Sequence, residues 1–295
     1  MTDFIFLKRP TLEIAKEILA KNHQDLAGKP LREIPSGGTD NVMFQIGTEL
    51  VLRMPLHEAA ANALRKEVAI SARTQGLPFA VPEVVEAALE DDAPYAIFKW
   101  IEGGDYYTAP PSSLVEAAER LGEFVRALRM LPPDEDFLAG AKNNMRGVPL
   151  VETDEPIRKS INAIDDEFDS ARLLEIWDDG IAAEGYPTQP VWLHGDLHAG
   201  NLITNDGQLT GVIDFGLAGV GDAAADLPPA WWLFEDEARE RFRQTIGVDD
   251  NEWRRGRGWA LHNAAIAYAY YRDKDKPMLT AMSRKAIVRL LAERD

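Results

Sequence analysis

The sequence predicts an α+β protein with two lobes, the first an antiparallel sheet plus a helix and the second mostly helical. Residues 31–101 consist mainly of short apolar segments separated by turn residues, which is typical of strands. One helical pattern, residues 58–75, interrupts these segments. Beyond residue 105 the apolar residues recur mostly at helical spacing, which predicts a helical second lobe.

The boundary between the lobes falls at a glycine-containing break, residues 102–105. We therefore place the N-terminal lobe at residues 1–102, a hinge at about 98–104 and the C-terminal lobe at 105–295. A chain of 295 residues is long enough for two lobes that share a cleft. The order of elements indicates that this cleft lies at the lobe junction.

The N-terminal lobe is predicted to hold two helices and about five strands. Apolar residues on one face predict the first helix, and turn residues separate the strands. In chain order we expect a helix at 11–27, a strand from 32 that leads into a turn at 36–40, strands at 42–46 and 50–54, a helix at 58–75, and strands at 81–89 and 95–101.

The C-terminal lobe is predicted to begin with a helix capped by Ser113, with Glu116 three residues further on. Apolar residues at helical spacing make this helix the expected centre of the lobe. Further helical patterns cover residues 156–184, 250–272 and 278–293, and short apolar strands that bear polar residues lie within 191–214.

Composition limits the classes of partner. The formal net charge of −17 makes nucleic acid a poor partner and favours a cationic small molecule. The sequence contains no run of about 18 uncharged apolar residues, so we expect no membrane span. The first residues show no basic region followed by an apolar stretch, so we expect a cytoplasmic protein. The absence of cysteine excludes disulfides, thiolate metal sites and thiol catalysis.

The clearest chemical pattern joins Asp196, Asn201 and Asp214. An acid, an amide five residues later and a second acid after a short apolar strand are the groups that phosphoryl transfer to a hydroxyl requires. Asp196 would orient the hydroxyl and accept its proton, whereas Asn201 and Asp214 offer the oxygen ligands that Mg²⁺ prefers. No Gly-x-Ser-x-Gly segment supports the rival interpretation as a serine hydrolase.

The segment Val191–Ile203 resembles the catalytic loop of aminoglycoside and macrolide phosphotransferases, which have a protein-kinase-like fold. Every fixed position of that family's His-Gly-Asp-x-x-x-x-Asn pattern is present, and Ile213–Gly216 and Gly221–Leu227 resemble its next two motifs. The resemblance implies ATP or GTP as donor, Mg²⁺ as cofactor and a small hydroxylated molecule as acceptor. It does not decide between the two nucleotides, or between a monomer and a homodimer.

The N-terminal half carries weaker matches to the same family. Arg53 stands where the family usually has a strand lysine, and Glu67 is its expected helix partner. The glycine-containing loop at 36–41 resembles the loop that covers the nucleotide. Residues 98–103 fall where the hinge would be, and the backbone near Lys99–Ile101 would bind a purine base. The predicted nucleotide-binding residues are Ser36, Gly37, Gly38, Thr39, Asn41, Arg53, Glu67, Lys99, Trp100 and Ile101.

Five further residues are expected to touch substrate or to support the loops. The resemblance makes His194 a brace of the catalytic loop, and His198 lies within that loop near substrate or phosphate. Asp222 and Asp226 are expected to brace the metal-binding segment and to cap the helix after it. Trp231 either lines the acceptor pocket or packs in the core.

Three functions stay open at this point. The first is an antibiotic phosphotransferase with an aminoglycoside, a macrolide or a similar acceptor. The second is a metabolic kinase of the same fold for a sugar, choline, homoserine or another alcohol, which the motif does not separate from the first. The third is a non-catalytic nucleotide-binding protein. The acidic stretches 134–136, 165–167 and 178–179 are candidates for binding ammonium groups of an acceptor.

Overall fold

The computed structural model describes residues 9–34, 40–90, 93–185 and 189–293. Short 3₁₀ turns connect several of its elements. The helices and strands are, in chain order, α1 (Leu12–Asn22), β1 (Leu31–Ile34), β2 (Asn41–Ile46), β3 (Leu50–Pro55), α2 (Glu58–Thr74), β4 (Val84–Ala88), β5 (Tyr95–Lys99), β6 (Gly104–Asp105), α3 (Leu114–Arg129), α4 (Asp154–Asn162), α5 (Ser170–Ala182), β7 (Val191–Leu193), β8 (Leu202–Asn205), β9 (Gln208–Val212), β10 (Gly219–Gly221), α6 (Pro229–Trp232), α7 (Asp236–Ile246), α8 (Asp250–Tyr271) and α9 (Pro277–Ala292).

The N-terminal sheet has five strands in the order β1-β2-β3-β5-β4, and all neighbours are antiparallel. Alternate residues of β2 and β3 point into a core in which Phe44 and Leu52 are fully buried. The helix α2 connects β3 to β4, as the sequence predicts. The sheet therefore holds Arg53 at the centre of β3, paired with Met43 on one side and Ala96 on the other.

The rest of the described chain is mostly helical and surrounds α3. Ser113 caps α3 as predicted, because its Oγ accepts a hydrogen bond from the backbone N–H of Glu116 at 3.3 Å. The large buried side chains Trp177, Trp259 and Phe124 belong to one core that joins the helices to the hairpin of β8 and β9. None of the helices within the described ranges is long and apolar enough to cross a membrane.

Three elements differ from the sequence-based expectation. The predicted helix 156–184 is two helices, because Asp169 caps a new one by accepting a hydrogen bond from the backbone N–H of Arg172. The helix α7 was missed, since its charged sequence buries only Ala238, Phe242 and Ile246. The predicted helix 11–27 ends at Asn22, where the residue that follows, His23, leaves helical geometry.

The glycine-containing break, residues 102–105, contains a short strand. Gly104 and Asp105 form β6, which pairs with Thr204 and Ile203 in β8, directly after the loop that bears Asp196. Gly103 turns the chain with φ of +129°, and a Cβ there would lie 2.5 Å from the carbonyl oxygen of Thr204. Glycine is therefore required where the chain passes from the sheet into the helical part.

Candidate active site

A cavity of about 690 Å³ lies between the sheet and the helical part. Its walls include six of the residues that the sequence predicts to carry chemistry. These are Asn41 and Arg53 from the sheet, and Asp196, His198, Asn201 and Asp214 from the segments around β7–β9. The three residues of the strongest motif therefore share one cavity, although 18 positions separate the first from the last.

Asn201 fixes the position of Asp196. Its amide Nδ2 donates hydrogen bonds to the backbone carbonyl of Asp196 at 2.9 Å and to the carboxylate Oδ2 at 3.1 Å. Because both amide protons are donated to Asp196, the group left on Asn201 is its carbonyl oxygen, which is a hard ligand. The five-residue spacing is thus the length of a turn that folds the amide back onto the acid.

His198 lies beside the same carboxylate. The backbone N–H of Gly200 donates to its Nδ1 at 3.0 Å, which places the ring proton on Nε2, 3.5 Å from Oδ2 of Asp196. Burial acts to raise the pKa of Asp196, but the imidazole of His198 and the guanidinium of Arg146 outweigh it and hold that pKa below the usual range of an aspartate. Asp196 is therefore ionised near neutral pH.

Asp214 begins the segment after β9 in a left-handed conformation, with φ of +67°. This conformation is uncommon outside glycine, and it occurs here at a residue whose side chain is 42% exposed and lines the cavity. The Oδ1 of Asp214 lies 3.3 Å from Nη2 of Arg53. The backbone N–H of Ile213 donates to the carbonyl of Asn201 at 2.9 Å, so the two segments that carry the oxygen ligands are tied together.

Arg53 connects three elements at the edge of the cavity. Its Nη1 pairs with Glu67 on α2, which confirms the predicted strand–helix pair, and its Nη2 faces Asp214. Glu67 is almost fully buried, and its second oxygen accepts a hydrogen bond from the backbone N–H of Phe215. The Nε of Arg53 is buried without a hydrogen-bond partner among the described residues.

His194 and Asp226 brace the catalytic loop from behind and do not line the cavity. Burial lowers the pKa of His194, so the ring is neutral; its Nδ1 accepts from the backbone N–H of Asp196, and Nε2 donates to the carbonyl of Ile213. The two carboxylate oxygens of Asp226 accept the backbone N–H groups of His194 and Gly195, each at 2.7 Å. These bonds hold the turn that presents Asp196.

Asp222 supports the same region through a buried ion pair. Its carboxylate faces Arg255 of α8, with Nε at 2.7 Å and Nη2 at 3.3 Å. It also accepts the backbone N–H of Ala224, so it caps the short 3₁₀ turn 223–226 rather than a longer helix. A buried pair of this kind fixes geometry, and removing one partner leaves an uncompensated charge.

Several predicted residues lie elsewhere. Trp231 is fully buried against Trp253, so it packs in the core, and its neighbour Trp232 lines the cavity instead. Lys99 and Trp100 line a second, smaller cavity, together with Ile101. Two backbone N–H groups of this segment are already used within the protein: that of Lys99 donates to the carbonyl of Glu83, and that of Trp100 to the carbonyl of Glu49. These two groups are therefore not available to bind a purine base.

The predicted nucleotide-covering loop, Ser36, Gly37, Gly38 and Thr39, lies outside the described residues. Asn41, which follows it, begins β2 and lines the main cavity. The buried Oδ1 of Asn41 has no hydrogen-bond partner among the described residues. It is therefore a polar group open to a ligand at this end of the cavity.

The acidic stretches do not line the cavity, contrary to the expectation that they bind ammonium groups. Five of their eight carboxylates form ion pairs with arginine instead, which holds loops and helices together. The pairs are Asp134 with Arg73, Asp166 and Glu167 with Arg272, Asp178 with Arg158, and Asp179 with Arg254.

Comparison with known proteins decides the family. The model of the APH phosphotransferase enzyme family matches residues 31–259, which is well over half of the chain and includes every residue of the motif described above. This protein belongs to the phosphotransferase enzyme family.

The curated relatives that match this phosphotransferase-family protein include aminoglycoside 3'-phosphotransferases at about 25% identity. An aminoglycoside 3'-phosphotransferase of Escherichia coli is 25% identical over 181 residues, covering 59% of this chain and 66% of the relative. One of Salmonella typhimurium is 26% identical over 146 residues, covering 48% of this chain and 52% of the relative. The chain therefore spans between about half and two thirds of the length of the curated relatives it matches.

Solved structures of the family share the whole fold with this protein. A GDP complex of aminoglycoside 2'-phosphotransferase-IIIa superposes with a TM-score of 0.69 at 19% identity, over 96% of this chain and 99% of that one. A macrolide 2'-phosphotransferase type I superposes with a TM-score of 0.63 at 19% identity, over 94% and 97%. The predicted kinase-like fold, with an antiparallel sheet followed by a mostly helical part, is confirmed.

Two residues that the sequence analysis did not single out, Arg146 and His262, line the side of the cavity formed by α8 and the loop before α4. Arg146 comes from the loop before α4, and its Nη1 lies 3.3 Å from Nδ1 of His262 on α8. Burial, with the Arg146 charge, lowers the pKa of His262 to about 3. The spacing of His262, Ile266 and Tyr270 along α8 was the available signal, since residues four apart share one face of a helix.

Proposed function

We propose that this protein transfers the γ-phosphoryl group of ATP or GTP to a hydroxyl group of a small molecule. The observation that carries the proposal is the arrangement of Asp196, Asn201 and Asp214 in one cavity beside Arg53. Phosphoryl transfer needs a positioned hydroxyl and a site that stabilises the charge of the triphosphate, and it needs little other covalent chemistry from the protein.

Asp196 is the residue that acts on the acceptor. Its carboxylate is ionised and lines the cavity, and Asn201 holds the residue through hydrogen bonds to its backbone carbonyl and to its carboxylate. An acceptor hydroxyl that donates a hydrogen bond to this carboxylate is oriented for attack on the γ-phosphorus. Its proton passes to Asp196 as the new oxygen–phosphorus bond forms, while the bond from the γ-phosphorus to the bridging oxygen breaks and the nucleoside diphosphate leaves. His194 and Asp226 hold the loop in place during this step.

The donor end of the cavity fits Mg²⁺ and a nucleoside triphosphate. The carbonyl oxygen of Asn201 and the exposed carboxylate of Asp214 are the oxygen ligands that Mg²⁺ takes in proteins. When bound there, Mg²⁺ would neutralise charge on the phosphates. Arg53, fixed by Glu67, places its guanidinium where the family usually has a lysine and would hold phosphate oxygens through two N–H groups.

The acceptor is proposed to be a hydroxylated antibiotic. Relatives named as aminoglycoside and macrolide phosphotransferases support that class. The solved relatives include one named as a streptomycin–ATP ternary complex and others named as GDP complexes, so both nucleotides are candidate donors. We also propose that the N-terminal lobe, 1–102, and the C-terminal lobe, 105–295, enclose the cleft in which donor and acceptor meet.

Product analysis tests the proposal. Purified protein, Mg²⁺ and ATP or GTP labelled in the γ-phosphate are incubated with a set of aminoglycosides and macrolides and, separately, with choline, homoserine and sugars. We expect label to appear on a hydroxyl of an antibiotic. Label only on a metabolite would replace the antibiotic acceptor by a metabolic one, and acceptor-independent release of phosphate as the sole product would refute phosphoryl transfer to an alcohol.

A further inference from the structure

The far side of the cavity is formed by two segments, 144–156 and 228–279, which we call the acceptor wall. One face of α8 supplies much of it, with Ile266 and Tyr270 on successive turns. Trp232 and Met278 extend the apolar surface on either side. Within these two described segments, Glu152 is the one carboxylate that lines the cavity. The acceptor wall is thus largely apolar, although the whole chain has a net charge of −17.

Arg146 places a positive charge on this wall. Its side chain lines the cavity, and no carboxylate of a described residue lies within ion-pair distance of it. The Nε is buried without a hydrogen-bond partner among the described residues. A guanidinium has five N–H donors, and one contact with a histidine nitrogen leaves most of them unused. A partly buried guanidinium with unused donors in a cavity wall can therefore take an oxygen acceptor from a ligand.

The neighbour of Arg146 does not supply that oxygen. His262 offers Nδ1 to the guanidinium, and its pKa of about 3 keeps the ring neutral at physiological pH. Burial lowers the pKa of Arg146, and the charge of Asp196, which the acceptor hydroxyl engages during phosphoryl transfer, acts in the opposite direction. Arg146 therefore lines the same cavity as Asp196 and contacts α8 through His262.

We propose that the acceptor is an alcohol with an apolar body that presents a carboxylate or carbonyl oxygen to Arg146, and that a cluster of ammonium groups is disfavoured. The apolar body lies on the face of α8 with Ile266 and Tyr270 while the hydroxyl reaches Asp196. A polycation would bring ammonium groups against Arg146, and Glu152 is the one carboxylate of the acceptor wall; the other carboxylates that line the cavity, Asp40, Asp105, Asp196 and Asp214, lie outside this wall. This proposal rests on the proposed function, because it names the substrate class of the same site.

Three alcohols of equal chain length test the proposal: 8-hydroxyoctanoate, 8-hydroxyoctanamide and 8-amino-octan-1-ol. They share the hydroxyl and the apolar chain and differ only in the group that would meet Arg146. Binding is measured by calorimetry on the full chain without nucleotide. We expect the acid and the amide to bind at least about tenfold more tightly than the amine, since a hydrogen bond to a charged group is being gained or lost.

Variants assign the preference to one side chain. Arg146→Met is expected to remove the difference between acid and amine, and the exposed Arg126→Met, on α3, should leave it unchanged. Tighter binding of the amine, absence of binding by the acid, or a preference that survives in Arg146→Met would overturn the proposal. Equal loss of phosphoryl transfer for all acceptors, with no change in their order of binding, would instead place Arg146 on the transferred phosphate.

The readout separates this inference from the proposed function. Binding of the three alcohols needs no turnover, so the order of their Kd values tests this inference even if no phosphoryl transfer is detected. Conversely, transfer to a polycationic acceptor such as kanamycin, with the amine preferred in the binding series, would support the proposed function and refute this inference.

Discussion

The carboxylate of Glu67 accepts a hydrogen bond from the backbone N–H of Phe215 at 3.3 Å, while its other oxygen pairs with Arg53. This one side chain joins α2 to β3 and to the segment that begins with Asp214. Phe215 is itself buried against His194, with ring centroids 4.6 Å apart, behind the loop that bears Asp196. The donor end and the acceptor end of the cavity are therefore connected through a continuous set of contacts.

Replacing Glu67 by alanine should therefore damage both stability and nucleotide binding. The change removes the buried partner of Arg53, leaves Asp214 as its remaining carboxylate, and removes the acceptor of the Phe215 N–H. We expect a loss of about 3–5 kcal/mol in the free energy of unfolding, measured with urea, and weaker binding of ATP or GTP. The control Glu90→Ala, at a carboxylate that is 88% exposed and paired with Arg65, should lose no more than about 1 kcal/mol. Equal stability losses in the two variants would contradict this role of Glu67.

Asp226 offers a test of the brace behind the catalytic loop. In Asp226→Ala the backbone N–H groups of His194 and Gly195 lose their acceptors while they stay buried. We expect about 2–5 kcal/mol of destabilisation, and a lower kcat in the protein that remains folded, because Asp196 is no longer held in position. The exposed Asp165→Ala should leave both quantities near their wild-type values. A folded Asp226→Ala protein with wild-type kcat would show that the brace has no part in turnover.

Gly195 is required by two features at once. Its φ is +79°, and a Cβ would lie 2.7 Å from the carbonyl oxygen of Leu217. Gly195→Ala is therefore expected to lower the melting temperature and the turnover number, at a cost of about 1–3 kcal/mol from backbone strain alone. Gly28→Ala meets nothing within 4 Å and serves as the matched control. The two variants are compared by calorimetry, and an unchanged melting temperature in Gly195→Ala would contradict a left-handed turn at this position.

Site residues that are close together in the sequence could be predicted from it, whereas site residues that only the fold brings together could not. Asp196 and Asn201 lie on one loop, so a turn of five residues is enough to bring them together. Arg146 and His262 are 116 positions apart, and only the packing of α8 beside the loop before α4 makes them neighbours. Sequence patterns carry the first kind of information and lack the second.

The same distinction applies near the hinge and at the two tryptophans of α6. The backbone N–H groups of Lys99 and Trp100 are taken by residues of distant segments, which no local pattern shows. Trp231 and Trp232 are adjacent in the sequence, yet one is in the core and the other lines the cavity. On a helix as short as α6, the direction in which each side chain points depends on which neighbours pack against each face of the helix.

His262 predicts how stability depends on pH. Its pKa in the folded protein, about 3, is below the ordinary value of 6.5, so the unfolded chain binds more protons than the folded protein when the pH falls below 6.5. Stability is then lost progressively toward pH 3, by up to about 1.4 kcal/mol for each pH unit. His262→Phe should flatten the curve of unfolding free energy against pH between 6.5 and 4.5. The slope that remains comes from other groups such as His194, whose pKa burial also lowers. An unchanged slope would contradict a neutral, buried His262.

The most direct test of phosphoryl transfer at this site is the comparison of Asp196→Asn with Asp206→Asn. Asp196 lines the cavity, whereas Asp206 is an exposed residue of the β8–β9 turn with φ of +50°, a conformation that asparagine tolerates. With labelled ATP or GTP and an accepted alcohol, Asp196→Asn should lower kcat by about 100- to 10,000-fold while the Kd for the nucleotide stays close to wild type. Asp206→Asn should change neither. Wild-type turnover in Asp196→Asn would contradict the account.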